Sequence, residues 1–141
     1  MTPEHLRHVI EEHIRVENDG DLEATLDTCA ATCVFTSVPR QRAFHGRSGA
    51  RDMYAATFAA FPDWHVEMLN FTPGEDHAWA ECEATATHLG TYEGIPATGR
   101  RVRFRLAVKF LVHGDKLGGE VLYFDRATIL EQITDGHSGS R

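Results

Sequence analysis

His88-Leu-Gly-Thr-Tyr-Glu-Gly-Ile-Pro-Ala-Thr-Gly99 separates two runs whose residues alternate with a period of two. Before it, Ala78, Ala80, Cys82, Ala84, Ala86 and His88 share one parity, and Trp79, Glu81, Glu83, Thr85 and Thr87 the other. After it, Val102, Phe104, Leu106, Val108, Phe110 and Val112 alternate with Arg103, Arg105 and Lys109. Such alternation reads as half-buried strands. Gly90, Gly94 and Gly99 allow unusual backbone angles and Pro96 fixes its own φ, so the segment reads as a structured bend between paired strands. With the even residues inside, the odd face is outside. Glu81 and Glu83 then face Arg103 and Arg105 as a cross-strand charge ladder, which is favoured over a catalytic carboxylate pair.

Outward from this hairpin the periodicity changes. Leu6, Val9, Ile10 and Ile14 give one buried stripe on a helix over residues 3 to 18, which Asn18-Asp-Gly20 ends. Asp21 caps a second short helix carrying Leu22 and Leu26. Residues 32 to 44 hold two short strands around Pro39. Ser48 is the expected cap of a third helix, with Ala50, Met53, Tyr54, Thr57, Phe58 and Phe61 on one stripe and Pro62 as its stop. Residues 64 to 72 and 117 to 124 read as further strands, and Asp125 opens a terminal helix. Helices first and antiparallel strands after predict an α+β domain with helices on one face of a curved sheet.

The chain has 141 residues, 42% of them hydrophobic and 25% charged, with a formal net charge of −7. This is enough for one domain, read as 1–134, followed by a disordered Gly- and Ser-rich tail at 135–141. The acidic balance argues against nucleic-acid partners. No apolar stretch reaches the ~20 residues of a membrane span, and the first residues do not read as a signal sequence. Cys29, Cys33 and Cys82 form no CxxC pair, which predicts reduced thiols and a cytoplasmic setting. Cys29 and Cys33, placed one helical turn apart, read as buried small residues rather than a redox pair.

Phe58-Ala-Ala-Phe-Pro-Asp-Trp64, the His-x-Gly-x-x-x-Gly-x-Pro-x-Thr-Gly run at 88–99, Asp115-Lys116-Leu117, and Asp125 followed by Ile129-Leu130-Glu131-Gln132 together resemble the SnoaL-like polyketide cyclases of the nuclear transport factor 2-like superfamily. The resemblance covers nearly the whole chain. It implies a cone-shaped domain, three N-terminal helices packed on a curved and mostly antiparallel sheet, a short C-terminal helix, and a small interior pocket. The aldol-type cyclases of that family carry an acid–base Asp three residues before the position of Asp125, which is Leu122 here. Their His on the preceding strand matches Val108. Both positions have pocket-facing parity, and both polar groups are absent.

Three residues are catalytic candidates. His88 shares a face with Ala84 and Ala86 and can serve as acid–base, or can hold the 88–99 bend through a backbone hydrogen bond. Glu120 has the parity of Leu122 and reads as a pocket carboxylate or as a strand-end group facing water. Asp125 matches a family Asp but stands where a helix N-cap is expected. Met53, Phe58, Trp64, Tyr92, Phe104, Val108 and Leu122 are expected to line an apolar ligand pocket, with Phe104 and Val108 in the same cavity. His5, His8 and Glu12 share a helix face that reads as solvated, so neither metal nor cofactor is expected.

Two functional classes follow. One is a SnoaL-like enzyme acting on a small ring-containing carbonyl compound through Glu120 and His88. The other is a non-catalytic binder or partner adaptor of the same fold. The superfamily also contains isomerases and epoxide hydrolases, but neither a Tyr-with-two-Asp nor an Asp-Arg-Asp arrangement can be placed by motif. Trp79 on the outer parity predicts a homodimer through the outer sheet face.

Overall fold

A computed structural model describes residues 1–134; the tail expected at 135–141 lies outside the described residues. Three helices, α1 (Pro3–Asn18), α2 (Leu22–Asp27) and α3 (Gly46–Ala60), are interleaved with strands β1 (Cys29–Ser37) and β2 (Arg42–His45). Strands β3 (His65–Pro73), β4 (His77–Thr87), β5 (Arg101–His113) and β6 (Lys116–Phe124) follow, then α4 (Arg126–Ile133). The strands form one six-stranded sheet in the order β2-β1-β6-β5-β4-β3. Every pairing is antiparallel except β1 with β6. The α+β class and the curved sheet under its helices are as expected.

The local chemistry explains the elements. The Thr2 side chain accepts from His5 N–H at 3.0 Å and Pro3 opens α1, where a missing N–H costs nothing. The face that α1 buries is Leu6, Val9, Ile10, His13, Val16 and Glu17. The apolar stripe therefore runs on into two polar side chains. Asp21 caps α2 through Ala24 N–H. Ser48 does not cap α3: β2 stays paired to Val34 as far as His45, the helix follows at once, and Ser48 falls inside its first turn. Cys29 and Cys33 lie on β1 rather than on a helix, and both are buried free thiols.

On β5 the side chains of Val102, Phe104, Leu106, Val108, Phe110 and Val112 are buried. Arg103 bonds Glu83 at 3.2 Å, and Arg105 bonds Glu83 and Glu81 at 3.3 and 2.9 Å, so the charged face points outward. That face also exposes Trp79 and Tyr123, whose rings lie 5.9 Å apart. Between β4 and β5, His88 N–H donates to Arg100 O and Gly99 N–H to His88 O, closing the bend. Its tip is a tight turn from Tyr92 to Ile95, with positive φ at both Glu93 and Gly94.

The parallel seam between β1 and β6 sets the direction of Glu120. Phe35 pairs with Glu120 and Ser37 with Leu122. Next to Glu120, Gly119 has φ +125°, and a Cβ there would lie 1.8 Å from Val34 O. Only glycine lets the two backbones meet at this spacing. Gly119→Ala is expected to destabilise the fold by about 3 kcal/mol or more, or to prevent folding. Denaturant titration checks this; an unchanged midpoint would contradict the seam geometry.

Candidate active site

Helix α1 delivers His13 and Glu17, α3 delivers Tyr54, the residue before β3 is Trp64, and β6 supplies Glu120. These five side chains meet at the inner end of an apolar chamber with a cavity volume of about 80 Å³. Met53, Phe61, Phe104, Leu106 and Leu122 are among the residues of its wall. Glu17, Trp64, Glu120 and Leu122 also border a smaller inner chamber with Val108 and Phe110. The carboxylates thus stand at the neck between the two spaces.

Hydrogen bonds fix the order of the cluster. Thr28 Oγ1 donates to Thr25 O at 2.6 Å, so His13 Nδ1 must be the donor in its own 2.6 Å bond to Thr28 Oγ1. That leaves Nε2 facing Tyr54 Oη at 2.8 Å, Glu120 Oε2 at 3.3 Å and Glu17 Oε1 at 3.5 Å. Trp64 Nε1–H donates to Glu17 Oε2 at 2.7 Å, and Tyr54 Oη–H reaches Glu17 Oε1 at 3.4 Å. His13 is fully buried.

Burial opposes the charge on His13, but the nearby Cys29 thiol and the carboxylates of Glu120 and Glu17 outweigh it, lifting its pKa to about 10. Burial pushes the Glu17 carboxyl up to about 7; the His13 charge and bonds from Trp64 and Tyr54 pull the other way, and Glu120 adds to the rise. Burial, with the nearby carboxylates, holds the Tyr54 phenol well above its ordinary value. At neutral pH the cluster therefore contains an imidazolium, a phenol that keeps its proton, and a carboxyl poised to gain or lose one. Among the described residues, His13, Glu17 and Glu120 are also the one group of three whose ligand-type atoms lie within 4.8 Å of one another. A divalent ion there would have to displace the imidazolium proton.

The sequence candidates are distributed differently. Glu120 is buried at the neck. His88 is buried but outside both chambers: its Nδ1 accepts from Thr98 N–H at 3.2 Å and bonds Thr98 Oγ1 at 2.9 Å, which makes it the pin of the 88–99 bend. Asp125 is exposed and caps α4, accepting from Ala127 N–H at 2.9 Å, so a catalytic role is not what this geometry favours. Met53, Trp64, Tyr92, Phe104 and Leu122 line the main chamber, whereas Val108 lines the inner one, so Phe104 and Val108 do not share a single cavity. Phe58 lines neither and packs behind Tyr54, ring centroids 5.8 Å apart. Val108 and Leu122 are direct partners across β5 and β6. His5, His8 and Glu12 border a surface hollow beside α2 and are not brought together as ligands. His13, Glu17 and Tyr54 were the members that strand parity could not point to. Their signal was a polar residue set on the apolar stripe of a helix.

The profile of the SnoaL-like polyketide cyclases matches residues 7–133. The chain belongs to that family. AclR of Streptomyces galilaeus, provisionally described as a hydroxylase, superposes with a TM-score of 0.81 at 20% identity, over 94% of this chain and 82% of its own. TsrD of Streptomyces laurentii gives 0.80 at 21%, over 94% and 97%. IdmH of Streptomyces antibioticus, provisionally described as a polyketide cyclase, gives 0.74 at 24%, over 89% and 96%. No curated protein matches the chain in sequence. These likenesses establish the SnoaL-like fold and leave the chemistry to the side chains. No helix among the described residues is long and apolar enough to cross a membrane.

Two predictions follow from the site's electrostatics and from the cap. A raised histidine pKa stabilises the folded state fully below 6.5, and that contribution is lost as pH rises through about 10. Glu17 loses its share in the same direction between 4.5 and about 7. The melting temperature should therefore fall from pH 6.5 to 10, and His13→Gln should flatten that slope; a parent protein with a level profile would contradict the buried imidazolium. For Asp125, replacement by Asn should leave stability nearly unchanged, and replacement by Ala should cost about 1 kcal/mol. Neither change should affect ligand turnover, and a large rate loss in a stably folded Asp125→Asn protein would restore it to the site.

Proposed function

We propose that this SnoaL-like protein is an enzyme that moves a proton at the carbon next to a carbonyl, on a small ring-containing compound held in the apolar chamber. The observation that carries this reading is the Glu17–Tyr54–His13–Glu120 cluster, buried at the chamber's inner end. Glu17 accepts the proton, because a carboxyl with pKa about 7 is matched to transfer at neutral pH. Tyr54, still protonated, donates to the developing enolate oxygen. His13 offsets the charge of Glu120 and orients Tyr54 through its 2.8 Å contact. Trp64 fixes Glu17 Oε2; Oε1, held only by the longer contacts of Tyr54 at 3.4 Å and His13 at 3.5 Å, is the oxygen that takes the proton once Tyr54 turns its hydroxyl to the substrate.

The family resemblance implies that the positions at which aldol cyclases carry Asp and His are Leu122 and Val108 here. On this reading the acid–base function has moved across the chamber, to Glu17 of α1 and Tyr54 of α3, and Glu120, two residues back along β6, serves as the charge partner of His13. An enolate formed there has two fates. Attack on a second carbonyl of the same molecule closes a ring, as in a cyclase; return of the proton to another carbon shifts a double bond, as in an isomerase. The second fate needs only the parts already named: Glu17 to carry the proton from one carbon to the other and Tyr54 to hold the enolate oxygen meanwhile.

Acetophenone is a minimal enolisable ring ketone for the test. Proton NMR in deuterated water should show exchange of its methyl protons above the buffer background. Glu17→Gln, which keeps an acceptor for Trp64, should reduce the enzymatic exchange by ~10²-fold or more. No exchange above background, or equal exchange by Glu17→Gln, would overturn the reading.

A further inference from the structure

The mouth of the chamber carries polar groups that the cluster at its inner end does not use. Ser37 lines the chamber, is 3% exposed, and its Oγ has no hydrogen-bond partner. A buried hydroxyl normally finds one, since leaving it unpaired costs free energy. Arg40 lines the same chamber. Its Nη2 donates to Tyr92 Oη at 2.7 Å, and its Nε lies 3.2 Å from Glu93 Oε2, close enough for an ion pair but without hydrogen-bond geometry. Glu93 is shared with Arg126 from the start of α4, and Arg126 Nε is likewise buried and without a hydrogen-bond partner. Two guanidinium groups thus compete for one carboxylate, which leaves a surplus positive charge and unused N–H donors at an apolar opening.

The register of the sheet relates this mouth to the inner cluster. Phe35 is opposite Glu120 and Ser37 opposite Leu122. Ser37 therefore stands two residues, about 7 Å, along the strand from the level of Glu120, and Arg40 lies beyond it. A ligand of single-ring size can span that distance with a functional group at each end.

We propose that Ser37 and Arg40 form a carboxylate subsite, so that the substrate is an acid: a ring compound with an enolisable carbonyl at Tyr54 and Glu17 and a carboxylate at the mouth. The carboxylate takes the unused hydroxyl of Ser37 and an N–H of Arg40, and the surplus charge of the Arg40–Glu93–Arg126 group balances it. This assignment rests on the proton-transfer reading for the carbonyl end alone. At the inner end the one imidazolium already faces two carboxyl groups, so the acid is favoured at the mouth.

The probes are para-acetylbenzoate and its neutral counterpart para-acetylbenzamide, compared by isothermal titration at low salt. The parent protein should bind the acid about tenfold tighter or more, the range expected of a charge-assisted pair. Ser37→Ala should leave the melting temperature unchanged, since Oγ has no partner to lose, and should reduce that preference severalfold. Arg40→Gln should bring it to within about twofold of unity. Glu17→Gln should keep it. Equal binding of the two probes by the parent, or an undiminished preference in Ser37→Ala, would overturn the subsite. Acid preference without methyl-proton exchange would remove the proton-transfer reading and keep the subsite; exchange without acid preference would do the reverse.

Discussion

A buried imidazolium between two carboxyl groups constrains the rest of this molecule. His13 is fully enclosed, and its charge persists because Glu120 and Glu17 stand within 3.3 and 3.5 Å of Nε2. Removing such a group from water is expensive, and the attraction offsets the cost only where the geometry is good. Each partner comes from a different element. α1 must cross the sheet so that His13 faces β6, α3 must bring Tyr54 beside it, and the β1–β6 seam must aim Glu120 inward. Apolar side chains of equal volume would fill this space with less electrostatic risk. A cluster that breaks the rule of an apolar core at the neck of a chamber is the kind of local conflict that marks a functional site.

The apolar wall and the cluster depend on each other. Leu122, Val108, Phe104 and Leu106 keep water away from Glu17, and burial is the largest contribution to its raised pKa, ahead of the opposing pull of His13. A carboxylate at the position of Leu122 would put a further negative charge beside Glu120, two residues away on the same face of β6. The apolar residues at 108 and 122 are therefore consistent with a relocated acid–base group, and do not by themselves indicate a lost one. The same low-dielectric surroundings strengthen the donation from Tyr54 to a developing negative oxygen.

Most of the fold was legible because periodicity reports which face is buried. The parity of β5 placed Phe104, Leu106 and Val108 inward and Arg103 and Arg105 outward, and α1 was readable from Leu6, Val9 and Ile10. The same stripe continues through His13 and Glu17, but a stripe defined by apolar residues does not extend to a polar pair. Glu120 was reached by parity; for His88 the sequence left acid–base work and the holding of the 88–99 bend open, and the bonds of Thr98 to Nδ1 favour the second. Asp125 could be read either way from sequence, and the cap geometry explains its residue type without a role in the chamber. Where β2 would hand over to α3 was set by strand pairing as far as His45, a tertiary contact that overrode the capping preference of Ser48.

The mouth of the chamber was beyond any local reading, because Ser37, Arg40, Tyr92, Glu93 and Arg126 come from three separated parts of the chain. What joins them is the turn at Glu93 and Gly94, whose positive φ angles lift the Glu93 carboxylate between two arginines. The two ends of the chamber then differ in kind. The inner end holds carboxyl groups and one imidazolium, and the mouth holds a surplus guanidinium with an unpaired hydroxyl beside it. A ligand with one acidic substituent is repelled by the first and attracted by the second. It enters in one orientation, and its carbonyl end, not its acid, reaches Tyr54. On the proposed reading, binding energy at the mouth positions the reacting carbon at Glu17, which is how contacts remote from the chemistry raise the rate of proton transfer.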